Sequence, residues 1–159
     1  MNTKIIPIVI PAYEPDEKLI GLLGELKNAG LSPVIVVDDG SDKEKFGQIF
    51  DKAGSEFGAV VLRHAVNMGK GRALKDAFNY CLNEYPDLVG VVTADSDGQH
   101  SATDIKRVKD ELLEYPDSLV LGTRNFDESG VPAKSVFGNK TTSKVMGVLT
   151  GVSVTDTQT

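Results

Sequence analysis

The sequence predicts a three-layer α/β fold in which a mainly parallel sheet is covered by helices on both faces. Three observations predict it. Short apolar runs of strand length recur along the chain, and each is followed by a stretch with apolar residues at helical spacing, the alternation that builds βαβ units. The runs Val34–Val37 and Leu88–Thr93 are apolar at consecutive positions, as strands buried on both faces are. Several runs also end in acidic, glycine-containing turns, so polar side chains gather at the carboxyl edge of the sheet, where open α/β sheets bind ligands. With 159 residues and 40% hydrophobic content, the chain 1–159 is long enough for one domain with a substantial core.

Each element has its own local reason. Ile5–Ile10 reads as the first strand, and Pro11-Ala12-Tyr13-Glu14-Pro15 as the stiff loop that ends it. Asp16 caps a helix carrying Leu19, Ile20, Leu23 and Leu26, with Gly30 as its stop. Val34–Val37 is the second strand and runs into Asp38-Asp39-Gly40-Ser41, where Ser41 and Glu44 have the spacing of a capping box for the helix through Phe46, Ile49 and Phe50. Ala59–Leu62 is the third strand. Asn67-Met68-Gly69-Lys70-Gly71-Arg72 then opens an amphipathic helix with Ala73, Leu74, Ala77, Phe78, Cys81 and Leu82 on its buried face. Leu88–Thr93 is expected as the central strand, followed by a capping box of Ser101 and Asp104 and a buried stripe of Ile105, Val108 and Leu112. Leu119–Leu121 is expected as a fifth strand, leading to Gly122-Thr123-Arg124, and the spacing predicts a helix over Ser135–Leu149. The polar stretch Asp156-Thr157-Gln158-Thr159 reads as a chain cut before a covering element.

Charge and composition narrow the function classes. A formal net charge of −6 argues against a nucleic-acid binder, which needs a basic face, and leaves room for a divalent cation at an acidic site. Cys81 is the only cysteine, so no internal disulfide can form and a reducing, cytoplasmic setting is expected. The apolar start Met1–Ala12 is broken by Pro7 and Pro11 and is too short to span a bilayer.

The densest chemistry follows the fourth apolar run. Asp95 and Asp97 stand two apart, with Gly98 next. Mg²⁺ and Mn²⁺ take oxygen ligands and commonly join one or two carboxylates to substrate phosphates. Spacing alone fits an acidic turn equally well, since Asp and Gly are ordinary turn residues. Asp95-Ser96-Asp97-Gly98 also has the form of the nucleophile loop of haloacid-dehalogenase-like phosphatases, although that loop normally follows the first strand. Gly69-Lys70-Gly71 lacks the full phosphate-loop pattern and is weak alone. His64 and His100 are far apart in sequence with no Cys nearby, which disfavours zinc.

Taken in order, Pro11-Ala12-Tyr13-Glu14, Val37-Asp38-Asp39-Gly40-Ser41, Asn67-Met68-Gly69-Lys70-Gly71 and Asp95-Ser96-Asp97 resemble the family 2 inverting glycosyltransferases of the GT-A fold. Asp97-Gly98-Gln99-His100, Gly122-Thr123-Arg124-Asn125-Phe126 and Asp156-Thr157-Gln158-Thr159 are most similar to the polyprenyl- and dolichyl-phosphate sugar transferases of that family. The resemblance implies a nucleoside-diphosphate sugar donor carrying GDP or UDP, a lipid-phosphate acceptor, Mg²⁺ or Mn²⁺ as cofactor, and a full-length protein at the cytoplasmic face of a membrane. It implies that Pro11, Tyr13, Glu14 and Asp39 contact the nucleoside, and that Asp95 sits against the nucleotide. Asp97, together with Asp95, would hold the metal, with Gln99 as a further polar contact. Gly69 and Lys70 would lie near the diphosphate and Arg124 would bind phosphate, so that Asp97, Lys70 and Arg124 form the catalytic set. A donor-binding fragment without turnover is the non-enzymatic alternative.

Overall fold

The computed structural model describes residues 4–122. Within them β1 (Ile8–Ala12), α1 (Glu17–Asn28), β2 (Val34–Asp38), α2 (Lys43–Ser55), β3 (Val60–Arg63), α3 (Lys70–Glu84), β4 (Val92–Thr93) and α4 (Ala102–Glu114) alternate as expected. The strands form one sheet in the order β3-β2-β1-β4, and every pairing is parallel. The chain steps outward from β1 to β3, then α3 carries it back past β1 to β4. Right-handed crossovers put α1 and α2 on one face and α3 on the other, and α4 packs beside α1. The sheet, the four helices and the cleft described below lie in the compact unit Met1–Ser118.

Burial follows from that sandwich. Ile8, Val9, Ile10, Ile35, Val36 and Val37 are inaccessible to solvent, since both faces of the two inner strands are covered. Under α3 the core joins Val9, Ile35 and Val37 to Ala73, Ala77 and Cys81. Small residues on the i, i+4 row of α3 let the helix approach the sheet closely. Leu82, expected on that face, is 70% exposed, because it lies a further 100° around the helix from Cys81.

Three expectations need correction. The apolar run Leu88–Thr93 is not a long inner strand: only Val92–Thr93 is laddered, at an edge of the described sheet, and Leu88 meets Ile5 in an isolated bridge. Val89 N–H donates to Ile5 O and Val92 N–H to Pro7 O, so three steps on this segment face two on its partner. The extra residue, and the N–H that Pro7 lacks, split the strand. Leu119–Leu121 forms no strand, and Leu119 is 85% exposed; a run of three apolar residues with no ladder partner among the described residues does not make a strand. Finally, α2 is capped by Asp42, whose carboxylate accepts from Glu44 N–H and Lys45 N–H, in place of a Ser41–Glu44 box. The Ser41 hydroxyl instead accepts from Glu14 N–H at 2.9 Å and ties the β1 loop to the β2 loop. The other caps are as expected: Asp16 accepts from Lys18 N–H, and Ser101 from Asp104 N–H. The helix expected over Ser135–Leu149 and the stretch Asp156–Thr159 lie outside the described residues.

Candidate nucleotide-sugar site

The carboxyl ends of β1, β2 and β4 and the amino end of α3 converge on a cleft of about 250 Å³ lined by Pro11, Ala12, Tyr13, Asp39, Lys70, Asp95, Ser96 and Asp97. Parallel pairing makes this convergence unavoidable, because all three strands end on the same edge. Six of the expected site residues therefore meet there: Pro11, Tyr13, Asp39, Lys70, Asp95 and Asp97. Gly69 and Gln99 stand one contact behind it, and Glu14 follows Tyr13 in the chain but does not line it. Glu14 has a left-handed backbone (φ 47°) and is held through its N–H by Ser41. Gly69 N–H reaches Asp39. Gln99 donates from its backbone and its side-chain amide to Asp97. Arg124 lies outside the described residues.

Asp39 is the most constrained of these side chains. Its Oδ1 accepts from Met68 N–H at 2.9 Å and faces His64 Nδ1 at 2.7 Å, while Oδ2 accepts from Gly69 N–H at 2.8 Å. Burial alone would push its carboxyl up. The Met68 N–H, the His64 ring, the Gly69 N–H and the His64 charge together outweigh burial and hold it below the usual carboxylate range. Among the described residues three donors meet its four lone-pair positions, which leaves one acceptor position on Oδ2. Gly40 makes this packing possible: a Cβ there would sit 2.1 Å from the Val66 carbonyl carbon, and its φ of 77° is left-handed. In the sequence His64 enters only as a zinc candidate, which its surroundings disfavour. Its place at the end of β3, level with Asp38 and Asp39 at the end of β2, is the signal that could have found it.

Lys70, the first residue of α3, reaches across the cleft to Asp95, Nζ to Oδ1 2.6 Å. His100 Nε2 lies 3.9 Å from the other Asp95 oxygen. Among the described residues no three His, Cys, Asp or Glu side chains form a cage for a metal. Mg²⁺ does not need one, since it binds through one or two carboxylates and completes its shell with phosphate oxygens and water. The donor set of Asp95 and Asp97 fits a cation shared with a phosphate ligand and not a protein-caged ion.

A family model described as Glycosyl transferase family 2 matches residues 8–144, which include every element and every cleft residue above. The chain belongs to glycosyl transferase family 2. Its parallel α/β sheet is the architecture expected for that family's GT-A fold. The chain is 33% identical to the uncharacterized protein MJ1222 of Methanocaldococcus jannaschii, over 99% of this chain and 63% of that protein. It is 27% identical to the UDP-N-acetylglucosamine–dolichyl-phosphate N-acetylglucosaminyltransferase of Methanococcus voltae, over 99% of this chain and 68% of the relative. It is also 28% identical to a dolichyl-phosphate beta-glucosyltransferase of Trichomonas vaginalis, over 77% of this chain and 41% of the relative. The chain thus spans about two thirds of the first two and less of the third. Family 2 membership, with Asp95 following the fourth strand instead of the first, removes the support for the phosphatase alternative.

Proposed function

We propose that this chain carries the donor site of an inverting glycosyltransferase that moves a sugar from a GDP- or UDP-sugar to a polyprenyl (lipid) phosphate. The observation that carries the reading is the convergence of Tyr13, Asp39, Lys70, Asp95 and Asp97 on one cleft. The lipid-phosphate acceptor is supported by two relatives named as dolichyl-phosphate transferases. Such an acceptor puts the whole protein at the cytoplasmic face of a membrane. No helix among the described residues is long and apolar enough to cross one.

Charge decides how a donor is held. Among the described residues that line the cleft, Asp39, Asp95 and Asp97 face one ammonium, that of Lys70. A diphosphate entering on Lys70 alone would meet a net negative wall. Mg²⁺ or Mn²⁺ shared by Asp95, Asp97 and the diphosphate would offset both sets of charge and the charge that grows on the leaving β-phosphate. Lys70 then has a phosphate oxygen as an alternative to Asp95, at a helix amino terminus that itself favours anions. Tyr13, half exposed at the rim, offers a ring face to the base. The free position on Asp39 Oδ2 accepts a nucleoside N–H or O–H. A lipid phosphate, with a second pKa of about 6, arrives already ionised and attacks the anomeric carbon without a general base.

The test is thermal unfolding of the chain with UDP or GDP, with and without Mn²⁺. A nucleotide at a hundredfold over its Kd adds about 2.7 kcal/mol, or roughly 5–10 °C for a chain of this size. The shift is expected with Mn²⁺ and not without it, and Asp97→Ala should lose it. An undiminished Mn²⁺-dependent shift in Asp97→Ala overturns the assignment.

A further inference from the structure

The cleft residues account for Asp39 but not for the side chain behind it. His64 is the next residue after β3, its side chain is 9% exposed, and its Nδ1 lies 2.7 Å from Asp39 Oδ1. Its Nε2 is buried, 3.1 Å from Asp76 Oδ2 but off the hydrogen-bonding direction. Asp76 is in turn held by Arg72 Nε at 2.8 Å. The ring is therefore wedged between the end of β2 and α3, and among the described residues its one well-formed bond is to Asp39.

We propose that His64 is a positioning residue for nucleoside recognition: its Nδ1–H fixes Asp39 Oδ1, and so holds the carboxylate in the rotation that leaves Oδ2 an acceptor position in the cleft. The Met68 and Gly69 amides hold the carboxylate from the loop side alone. Without the His64 donor only these two adjacent backbone amides hold it, the restraint from the β3 side is lost, and the carboxylate and its ligand-facing lone pair are free to shift with the loop. His64 shares no hydrogen bond or ion pair with Lys70, Asp95 or Asp97, so its loss should bear first on the nucleoside half of the site.

The inference rests on the proposed donor site, and one experiment separates the two. Kd values for UDP, GDP and inorganic pyrophosphate are measured with Mn²⁺ on the wild type, His64→Asn, His64→Gln and His64→Ala. An Asn amide nitrogen falls near the imidazole Nδ1 and retains the donor to Asp39; a Gln amide nitrogen falls near Nε2 and retains only the contact toward Asp76. His64→Asn should bind the nucleotide like the wild type. His64→Gln and His64→Ala should lose about ten- to a hundredfold in nucleotide affinity, the range for a hydrogen bond to a charged group. Pyrophosphate binding should be unchanged in all four. Equal nucleotide affinities in the Asn and Gln variants overturn the role of His64, and so does a parallel loss of pyrophosphate, which would mark a structural collapse of the loop. If His64→Ala does not fold, the Asn and Gln pair decides alone. Failure of the wild type to bind either nucleotide overturns the donor site itself.

Discussion

Removing the Asp39 carboxylate tests how the β2 end and the α3 loop are joined. Asp39→Ala takes away the acceptor for Met68 N–H, Gly69 N–H and His64 Nδ1 at once. Gly69 N–H retains a second partner, Asn67 Oδ1 at 3.0 Å, so two donors are left without an acceptor. Hydrogen bonds to a charged group contribute about 1.5–3 kcal/mol each. They are not additive, and the variant no longer buries a carboxylate, so a net loss of about 2–4 kcal/mol is expected. For a chain of this size that is a fall of roughly 5–15 °C in Tm. Asp39→Asn should lose less, about 1–2 kcal/mol, because its amide oxygen can still serve Met68 and His64 while its NH2 faces Gly69. Urea unfolding at pH 7 measures both. The Asp39 carboxyl is held below its usual range in the folded chain, so its contribution is complete above the unfolded value of about 4 and disappears as pH falls through the lower folded value. The gap between wild type and Asp39→Asn should therefore close on acidification. A gap that widens toward low pH, or an Asp39→Ala variant within about 0.5 kcal/mol of wild type at pH 7, refutes the account.

Gly40→Ala forces a Cβ into the Val66 backbone from a left-handed position, so it should destabilise by at least about 2 kcal/mol and displace the loop that Asp39 holds, read by urea unfolding and hydrogen exchange at Met68 and Gly69. Asp42→Ala should cost about 0.5–2 kcal/mol as a lost helix cap, while Ser41→Ala should leave α2 intact and release only the Glu14 amide, seen as faster exchange there. Cys81 is fully buried and burial pushes its thiol up, so a thiol reagent should label it only after unfolding; labelling at native rates would contradict its place in the core.

The elements were legible wherever one local signal decided them. Asp16 and Ser101 cap their helices because the other partners of their side chains, Lys18 Nζ and the Asp104 carboxylate, lie in the same first turns. The consecutive apolar runs of β1 and β2 are too short for helices and fit strands covered on both faces. Two of the misreadings turn on partners that are distant in sequence. Ser41 has the spacing of a cap, but Glu14, 27 residues earlier, takes its hydroxyl, and Asp42 is the better acceptor for the helix. The run Leu88–Thr93 has the composition of a long strand, but Pro7 on the neighbouring segment cannot donate and the ladder slips by a residue. The cleft acids were legible as motifs because strand order brings their ends together. His64 was not, since its tie to Asp39 at 2.7 Å emerges only once the end of β3 is paired level with the end of β2.

The doublet Asp38-Asp39 shows what period-two alternation does at a strand end. Successive side chains leave a strand on opposite faces, so two adjacent carboxylates cannot serve one ligand. Asp38, the last residue of β2, turns to the α2 side: it accepts from Ser41 N–H at 2.9 Å and pairs with Arg63, which also binds Asp51 at 2.9 Å and lies over the Phe50 ring. Asp39 turns to the α3 side and lines the cleft. One acid thus locks the β2 turn to β3 and α2, and the other locks it to the loop before Lys70. The turn between them is clamped from both faces of the sheet, which is how a short exposed loop can present an acceptor in one fixed direction without a ligand to hold it.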